Sequence, residues 1–210
     1  MNKVVITTQK EAGILDEALY KHIMQSFQQW KDTGLDAPFL HYSLEKIKRI
    51  IKHATVFVAY DIETTNLLGV HCFTVSRNGR YVNGGLLSVS PKVKHTGIAT
   101  NMLKYEEKYF RKAGISYLRG TTAVPAVWSV NWHLKNGYRI VGYQRSPSNN
   151  HYTYVFRKQL TPSLFWSGPL APVTARLHFI ASYTVTRLCK TSTGQLTILG
   201  KIAKKIFRRT

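Results

Sequence analysis

Two rhythms of apolar and polar positions run along the first ninety residues. Lys3–Thr7 (KVVIT) is rich in β-branched residues and predicts a short strand. From Glu11 to Lys31 the apolar positions fall at Leu15, Leu19, Ile23, Phe27 and Trp30, the spacing of one helix face. Gly34 and Pro38 end that pattern. Ser43 opens a second helix with Leu44, Ile47, Ile50 and Ile51 on one side and Lys46, Lys48, Arg49 and Lys52 on the other. Strands follow at Thr55–Tyr60, Leu67–Val75 and Leu86–Ser90, separated by turns at Asp61–Asn66 and at Asn78-Gly79.

The next stretch returns to the helical period. Gly97–Ala113 places Ile98, Met102, Tyr105 and Tyr109 on its apolar side and closes at Gly114. A strand at Tyr117–Ala123 leads to a helix at Ala126–Asn136, closed by Gly137. Two aromatic strands, Tyr138–Arg145 and Tyr152–Lys158, flank the turn Ser146–Asn150. After Gln159 the composition shifts: Thr161–Pro172 holds three prolines and a glycine. Val173–Lys190 then carries apolar residues at Val173, Leu177, Ile180, Ala181, Val185 and Leu188. Leu196–Arg209 sets Leu199, Ile202, Ala203, Ile206 and Phe207 against Lys201, Lys204, Lys205, Arg208 and Arg209. A helical crossover inside a run of hairpin-connected strands predicts an α/β fold with a mixed, mostly antiparallel sheet flanked by helices. The expected organisation is one domain over residues 1–160, with a basic extension of two short helices over 161–210.

Composition narrows the class. A chain of 210 residues that is 44% hydrophobic can bury a core, so a wholly disordered protein is excluded. Two cysteines, Cys72 and Cys189, cannot staple a fold and have no metal-ligand spacing, which favours a reducing compartment. No apolar run reaches the roughly 18 residues of a membrane span, and Met1–Lys10 lacks a signal-peptide core. The expected location is the cytoplasm.

The charge is lopsided. All ten Asp and Glu lie in the first 107 residues beside thirteen Lys and Arg, whereas Lys108–Thr210 holds seventeen Lys and Arg and no acid. Such a field draws polyanions: nucleic acid, anionic headgroups or a phosphate-rich cofactor. It also leaves no carboxylate beyond Glu107 to act as a base.

The densest chemical signal is Leu86 to Thr100 (LLSVSPKVKHTGIAT), a strand, a short basic loop with one glycine, and a helix start. The first N–H groups of a helix lack intrahelical partners and sit at the positive end of its dipole, so they can cradle a phosphate. Neither GxxxxGK[ST] nor GxGxxG is present.

Lys94-His95-Thr96-Gly97-Ile98-Ala99 resembles the acetyl-CoA signature, Gln/Arg-x-x-Gly-x-Gly/Ala, of the GNAT N-acetyltransferase superfamily. Downstream, Leu134-Lys135-Asn136-Gly137-Tyr138 is similar to the family's second landmark, a helix closed by Gly-Phe before a strand. The resemblance spans Lys3 to Leu160. It implies a sheet splayed between the fourth and fifth strands, with acetyl-CoA as acyl donor. The pantetheine arm would meet backbone at Leu87, Ser88 and Val89, and the pyrophosphate would lie on Lys94, His95, Thr96, Gly97, Ile98, Ala99 and Thr100. It implies an N-acetyltransferase, with a small amine or amino sugar as the acceptor and direct attack of the neutral amine on the thioester. This chain departs from the family at three points. Lys94 stands in place of the usual Gln or Arg, and Ala126 in place of an asparagine. His133 replaces the tyrosine that protonates the departing thiolate, four residues before Gly137. A histidine of ordinary pKa is roughly a quarter protonated at pH 7, so it can serve as that acid.

Two other readings remain. One is a membrane-surface N-acyltransferase with a longer acyl donor, its basic tail on the inner leaflet, since a helix with a Lys/Arg face is the pattern of a membrane-surface element. The other is a basic nucleic-acid-binding module, which no helix-turn-helix, RRM or zinc pattern supports. His71 reads as a packed core histidine, Glu63 as a solvated loop carboxylate, and Trp30, Trp128 and Trp132 as core or acceptor-site packing. Nothing in the sequence fixes the oligomeric state, a dimer included.

Overall fold

The computed structural model describes residues 3–31, 38–145 and 152–187. Its elements are β1 (Val4–Thr8), α1 (Gln9–Ala12), α2 (Asp16–Lys31), α3 (Leu44–Lys52), β2 (Thr55–Asp61), β3 (Leu67–Val75), β4 (Tyr81–Val89), α4 (Ile98–Lys112), β5 (Tyr117–Ala123), α5 (Val127–Lys135), β6 (Arg139–Arg145), β7 (Tyr152–Gln159) and α6 (Ala171–Arg187). The strands lie in the order β1-β2-β3-β4-β5-β7-β6. The pairs β1–β2, β2–β3, β3–β4 and β6–β7 are antiparallel, and the α4 crossover makes β4 and β5 the parallel pair. The chain is therefore α/β with a mixed, mostly antiparallel sheet, flanked by helices. It divides into two compact units, Met1–Leu118 and Arg119–Thr210.

In the first unit, β2 is buried on both faces, so its run of Val56, Phe57, Val58 and Ala59 is continuous rather than alternating. Val56 and Val58 join Leu19, Ile23 and Phe27 of α2 and Ile47 and Ile51 of α3 in one core. On the other face Phe57 meets the rings of Tyr105, Tyr109 and Phe110 of α4. Ser43 caps α3 by accepting from the Lys46 N–H.

Several element boundaries differ from the sequence pattern. The helix expected over Glu11–Lys31 is two helices: Gly13, at φ 65°, closes α1 with a left-handed cap, and α2 begins only at Asp16. A capping box at Thr8 and Glu11 starts α1. The third strand begins at Tyr81, not Leu86. Asn83-Gly84-Gly85 breaks the apolar pattern there, but a Cβ at Gly84 would lie 3.0 Å from both His71 Nε2 and Phe73, so a side chain at that position would crowd both rings. The buried face of α4 is Ile98, Met102, Leu103, Glu106, Glu107 and Phe110, which leaves Tyr109 exposed. That face turns because Glu106 enters the core: its carboxylate oxygens each lie 3.1 Å from His71 Nδ1. His71 is thus a buried histidine paired with a carboxylate.

In the second unit, α5 ends at Lys135 and is closed by Asn136 and by Gly137 at φ 79°, and Lys158 Nζ donates to the Asn136 carbonyl at 2.6 Å. The helix α6 docks on β6: Ser182 and Thr186 hydroxyls both donate to the Tyr143 carbonyl, at 2.7 and 2.8 Å. Phe179 and Tyr183 pack against Tyr143, and Ala171 and Ala175 are buried. The helix expected at Val173–Lys190 runs from Ala171 to Arg187, and of its expected apolar positions Val173, Leu177 and Ile180 face solvent. The second tail helix expected at Leu196–Arg209 lies outside the described residues.

Candidate functional site

The segment from β4 into α4 holds Leu86 and His95, two of the three non-glycine residues with positive φ among the described residues. Along β3 and β4, Val70 opposes Ser88 and Cys72 opposes Gly85, so Leu86 and Leu87 together oppose His71. This is a β-bulge, and Leu86 sits at φ 54°, a left-handed conformation that a Leu side chain disfavours by roughly 1–2 kcal/mol. A bulge takes one residue out of the ladder and turns the strand, so backbone groups beside Leu87 are re-aimed away from regular pairing. No glycine or proline marks the bulge, which is why the sequence pattern missed it; Gly84-Gly85 next to it was the available signal.

Leu87 and Val89 are half-buried, and Ser88 is 3% exposed with an Oγ that has no hydrogen-bond partner among the described residues. Behind this strand lies His22 of α2. Its ring faces Ser26 Oγ at 3.3 Å and hydrogen-bonds to the backbone of Ser88 and of Leu67. Burial holds its pKa below the ordinary histidine value, and those backbone bonds oppose the shift.

After β4 a short 3₁₀ turn, Pro91–Val93, leads into the loop. Thr96 Oγ1 donates to the Val93 carbonyl at 2.7 Å and closes it. His95 and Gly97 are left-handed, at φ 63° and 87°. Gly97 is the N-cap of α4 and supplies no side-chain cap. The first intrahelical bond runs from Asn101 N–H to the Gly97 carbonyl at 2.9 Å, so the N–H groups of Ile98, Ala99 and Thr100 precede the helical ladder. Lys92, Lys94 and His95 are exposed along the loop, and Gly97 has open space where a Cβ would stand. An uncapped start on a 15-residue helix, approached by backbone alone and ringed by cations, is a setting for a phosphate. The unpaired Ser88 Oγ adds a buried polar atom on the strand beside it. All ten residues singled out for the cofactor thus lie on one continuous strand, loop and helix start.

The second unit holds His133. On α5, its Nδ1 is 2.7 Å from the Ser129 carbonyl, which can only accept, so Nδ1 carries a proton. The ring stacks on Phe156 at 4.5 Å, and its Nε2 edge lies against Gly120, where a Cβ would come within 3.3 Å. A proton delivered from this ring leaves from Nε2 of the doubly protonated form. Trp128 is largely exposed, whereas Trp132 is half-buried and Trp30 packs on Phe27 and Phe39. Glu63 is exposed. Among the described residues no His, Cys, Asp and Glu group could hold a metal ion.

The fold and this segment together define a mixed α/β protein with a helix start that carries no side-chain cap. A family model described as the acetyltransferase (GNAT) family matches residues 17–138, more than half of the chain, and the chain belongs to that family. Its fold is similar to an acetyltransferase of the GNAT family from Staphylococcus aureus Mu50, at 14% identity and a TM-score of 0.59, covering 76% of this chain and 100% of that one. An aminoglycoside 6'-N-acetyltransferase complexed with coenzyme A is similar at 15% identity and a TM-score of 0.58, covering 76% of this chain and 98% of that one. For a nourseothricin acetyltransferase the chain spans 66% of that protein's length and 52% of its own, at 15% identity and a TM-score of 0.47. No curated protein matches the chain.

Proposed function

We propose that this GNAT acetyltransferase moves an acetyl group from acetyl-CoA to the amine of a small acceptor, a simple amine or an amino sugar. The observation that carries the reading is the start of α4, where left-handed Gly97 leaves the Ile98, Ala99 and Thr100 N–H groups with no side-chain cap. The residues present fit the donor: a backbone-lined helix start for the pyrophosphate, with Lys94 and His95 beside it, and the bulged strand Leu87-Ser88-Val89 for the amide-bearing pantetheine arm. Acetyl-CoA supplies the acetyl group as a thioester.

The rest of the chemistry falls to this chain. Backbone N–H groups freed by the bulge polarise the thioester carbonyl, the kind of fixed dipole that stabilises charge as it develops. The acceptor nitrogen forms its bond to the carbonyl carbon, the carbon–sulfur bond breaks, and the nitrogen passes its proton to a water molecule that relays it to solvent. His133 returns a proton to the departing thiolate from Nε2, while the Ser129 carbonyl holds its Nδ1–H and Phe156 holds the plane of the ring.

The test is a panel of amines, amino sugars and N-terminal peptides incubated with acetyl-CoA, with release of free thiol as the readout and mass spectrometry of the acceptor. The reading expects thiol release that depends on a small amine and matches its acetylation. Acetylation of peptides alone would move the acceptor to a protein N-terminus, and no amine-dependent release from any class would contradict the reading.

A further inference from the structure

Arginine stands at the same level on three neighbouring strands of the second unit. In the β6–β7 ladder Arg139 is the direct partner of Arg157. On its other side β7 neighbours β5 and runs antiparallel to it. There the Val124 N–H donates to the Tyr152 carbonyl at 3.0 Å, and counting back along both strands from that pair brings Arg119 opposite Arg157. The His133 ring agrees with the count, since it meets both Gly120 and Phe156, the next pair along. Cross-strand partners share a face, so Arg119, Arg157 and Arg139 form one row, on the face of the sheet away from His133.

Like charges directly opposite one another are destabilising, and this row sets three of them side by side. Arg119 and Arg157 are half-buried, and Arg139 is exposed. From Lys108 to Thr210 the sequence contains no Asp or Glu, so the unit has no acidic side chain of its own to set against the row. The central arginine is also held in place. Its guanidinium lies over the Trp166 ring at 3.7 Å, and its Nε and Nη2 both donate to Gln159 Oε1, at 3.2 and 2.9 Å. His178 packs against the same indole at 5.0 Å. Burial, and then the Arg157 charge, hold its pKa below the ordinary histidine value, so near pH 7 it adds little charge to the row. A guanidinium fixed flat on a ring has already given up freedom that binding would otherwise cost.

A carboxylate occupies one guanidinium fork. Three forks on strands about 4.8 Å apart match an anion with several phosphoryl groups in line, because each fork takes two oxygens. We propose that the row Arg119, Arg157 and Arg139 binds the oligophosphate group of a small ligand, free or carried by a nucleoside. The site uses no residue of the candidate donor site and does not rest on the acetyl-transfer reading.

The experiment is calorimetry of the full chain with inorganic triphosphate, ATP and orthophosphate at low salt. It is repeated on Arg139→Gln/Arg157→Gln, on Arg139→Gln alone, on Gly97→Val, and on Lys112→Gln/Lys135→Gln, which removes two exposed charges elsewhere. The expected result is triphosphate binding about tenfold tighter than orthophosphate, weakened about tenfold or more in the arginine double variant and less than about threefold in the lysine one. Gly97→Val should keep the binding. ATP binding as tight as triphosphate would assign a nucleotide, and much weaker ATP binding would assign the free oligophosphate. Arg139 is exposed, so Arg139→Gln should melt like the parent and weaken triphosphate about threefold or more by itself. That variant decides the matter if the double variant melts lower. The proposal is overturned if the parent does not bind triphosphate, if Arg139→Gln binds it unchanged, or if the lysine variant loses as much as the arginine one. It is equally overturned if Gly97→Val alone abolishes the binding, which would place the anion at the start of α4.

Discussion

Leu86 and Gly97 are the two residues on which the proposed donor site turns, and both are left-handed. Glycine adopts that conformation freely and leucine does not, so the bulge is held by the ladder on either side of it. His133 is defined just as locally, by one carbonyl and one ring. His133→Phe keeps the stack on Phe156 and removes the transferable proton. The expected outcome is a turnover lowered by roughly 10²-fold with acetyl-CoA affinity unchanged, read from steady-state rates beside calorimetry. A normal rate would leave His133 as packing between Gly120 and Phe156. His22 gives a pH signature. Its folded pKa lies below its unfolded value near 6.5, so the unfolded chain takes up the proton first. The stability it contributes is therefore complete above about pH 6.5 and declines as pH falls from there through the folded pKa. Melting curves between pH 7.5 and about 5 should fall more steeply for the parent than for His22→Asn; parallel curves would mean that the imidazole titrates alike in both states.

At the scale of elements, α4 is fastened to β3 by a hydrogen-bonded pair inside the core. Glu106 is fully buried with His71 at 3.1 Å, and removing one member of such a pair leaves a buried polar group without its partner. Glu106→Ala should lower unfolding free energy by about 1–3 kcal/mol in urea, and Glu106→Gln by less because a hydrogen bond is kept. A loss under about 1 kcal/mol for alanine would mean that water reaches the site. This pair also shows why the helix was readable and its face was not. Apolar spacing locates α2, α3 and α4 within a few residues, since helical period survives any tertiary context. It counts glutamate as surface, so the core partner at Glu106 and the resulting turn of α4 were invisible to it. The loop at Lys94–Ala99 was legible because glycine at a helix start has a local cause. The bulge at Leu86 was not, because register against β3 creates it. On α6 the same spacing identified the helix, whereas the described contacts with Tyr143 come from Phe179, Ser182, Tyr183 and Thr186, none of them among the apolar positions of the pattern.

For the whole molecule, the division of charge matters more than its sum. The acids are confined to the first 107 residues, and the remainder is wholly basic, a field that raises the local concentration of a polyphosphate donor whichever amine accepts. Acetyl-CoA affinity should therefore weaken as salt rises, and a salt-independent affinity would leave the field without a role in donor capture. The central claim, that the start of α4 holds the donor's pyrophosphate, separates from this general attraction in one titration. CoA and pantetheine share the arm; CoA adds the pyrophosphate together with the adenosine and its 3′-phosphate, so the loss on Gly97→Val is what assigns the advantage to the start of α4. Calorimetry of both ligands against the parent and Gly97→Val should show CoA binding at least tenfold tighter than pantetheine to the parent. In the variant most of that advantage should vanish, because valine resists the left-handed φ and its side chain fills the cradle. Equal affinities for the two ligands in the parent, or an undiminished preference for CoA in a folded Gly97→Val protein, would contradict the account.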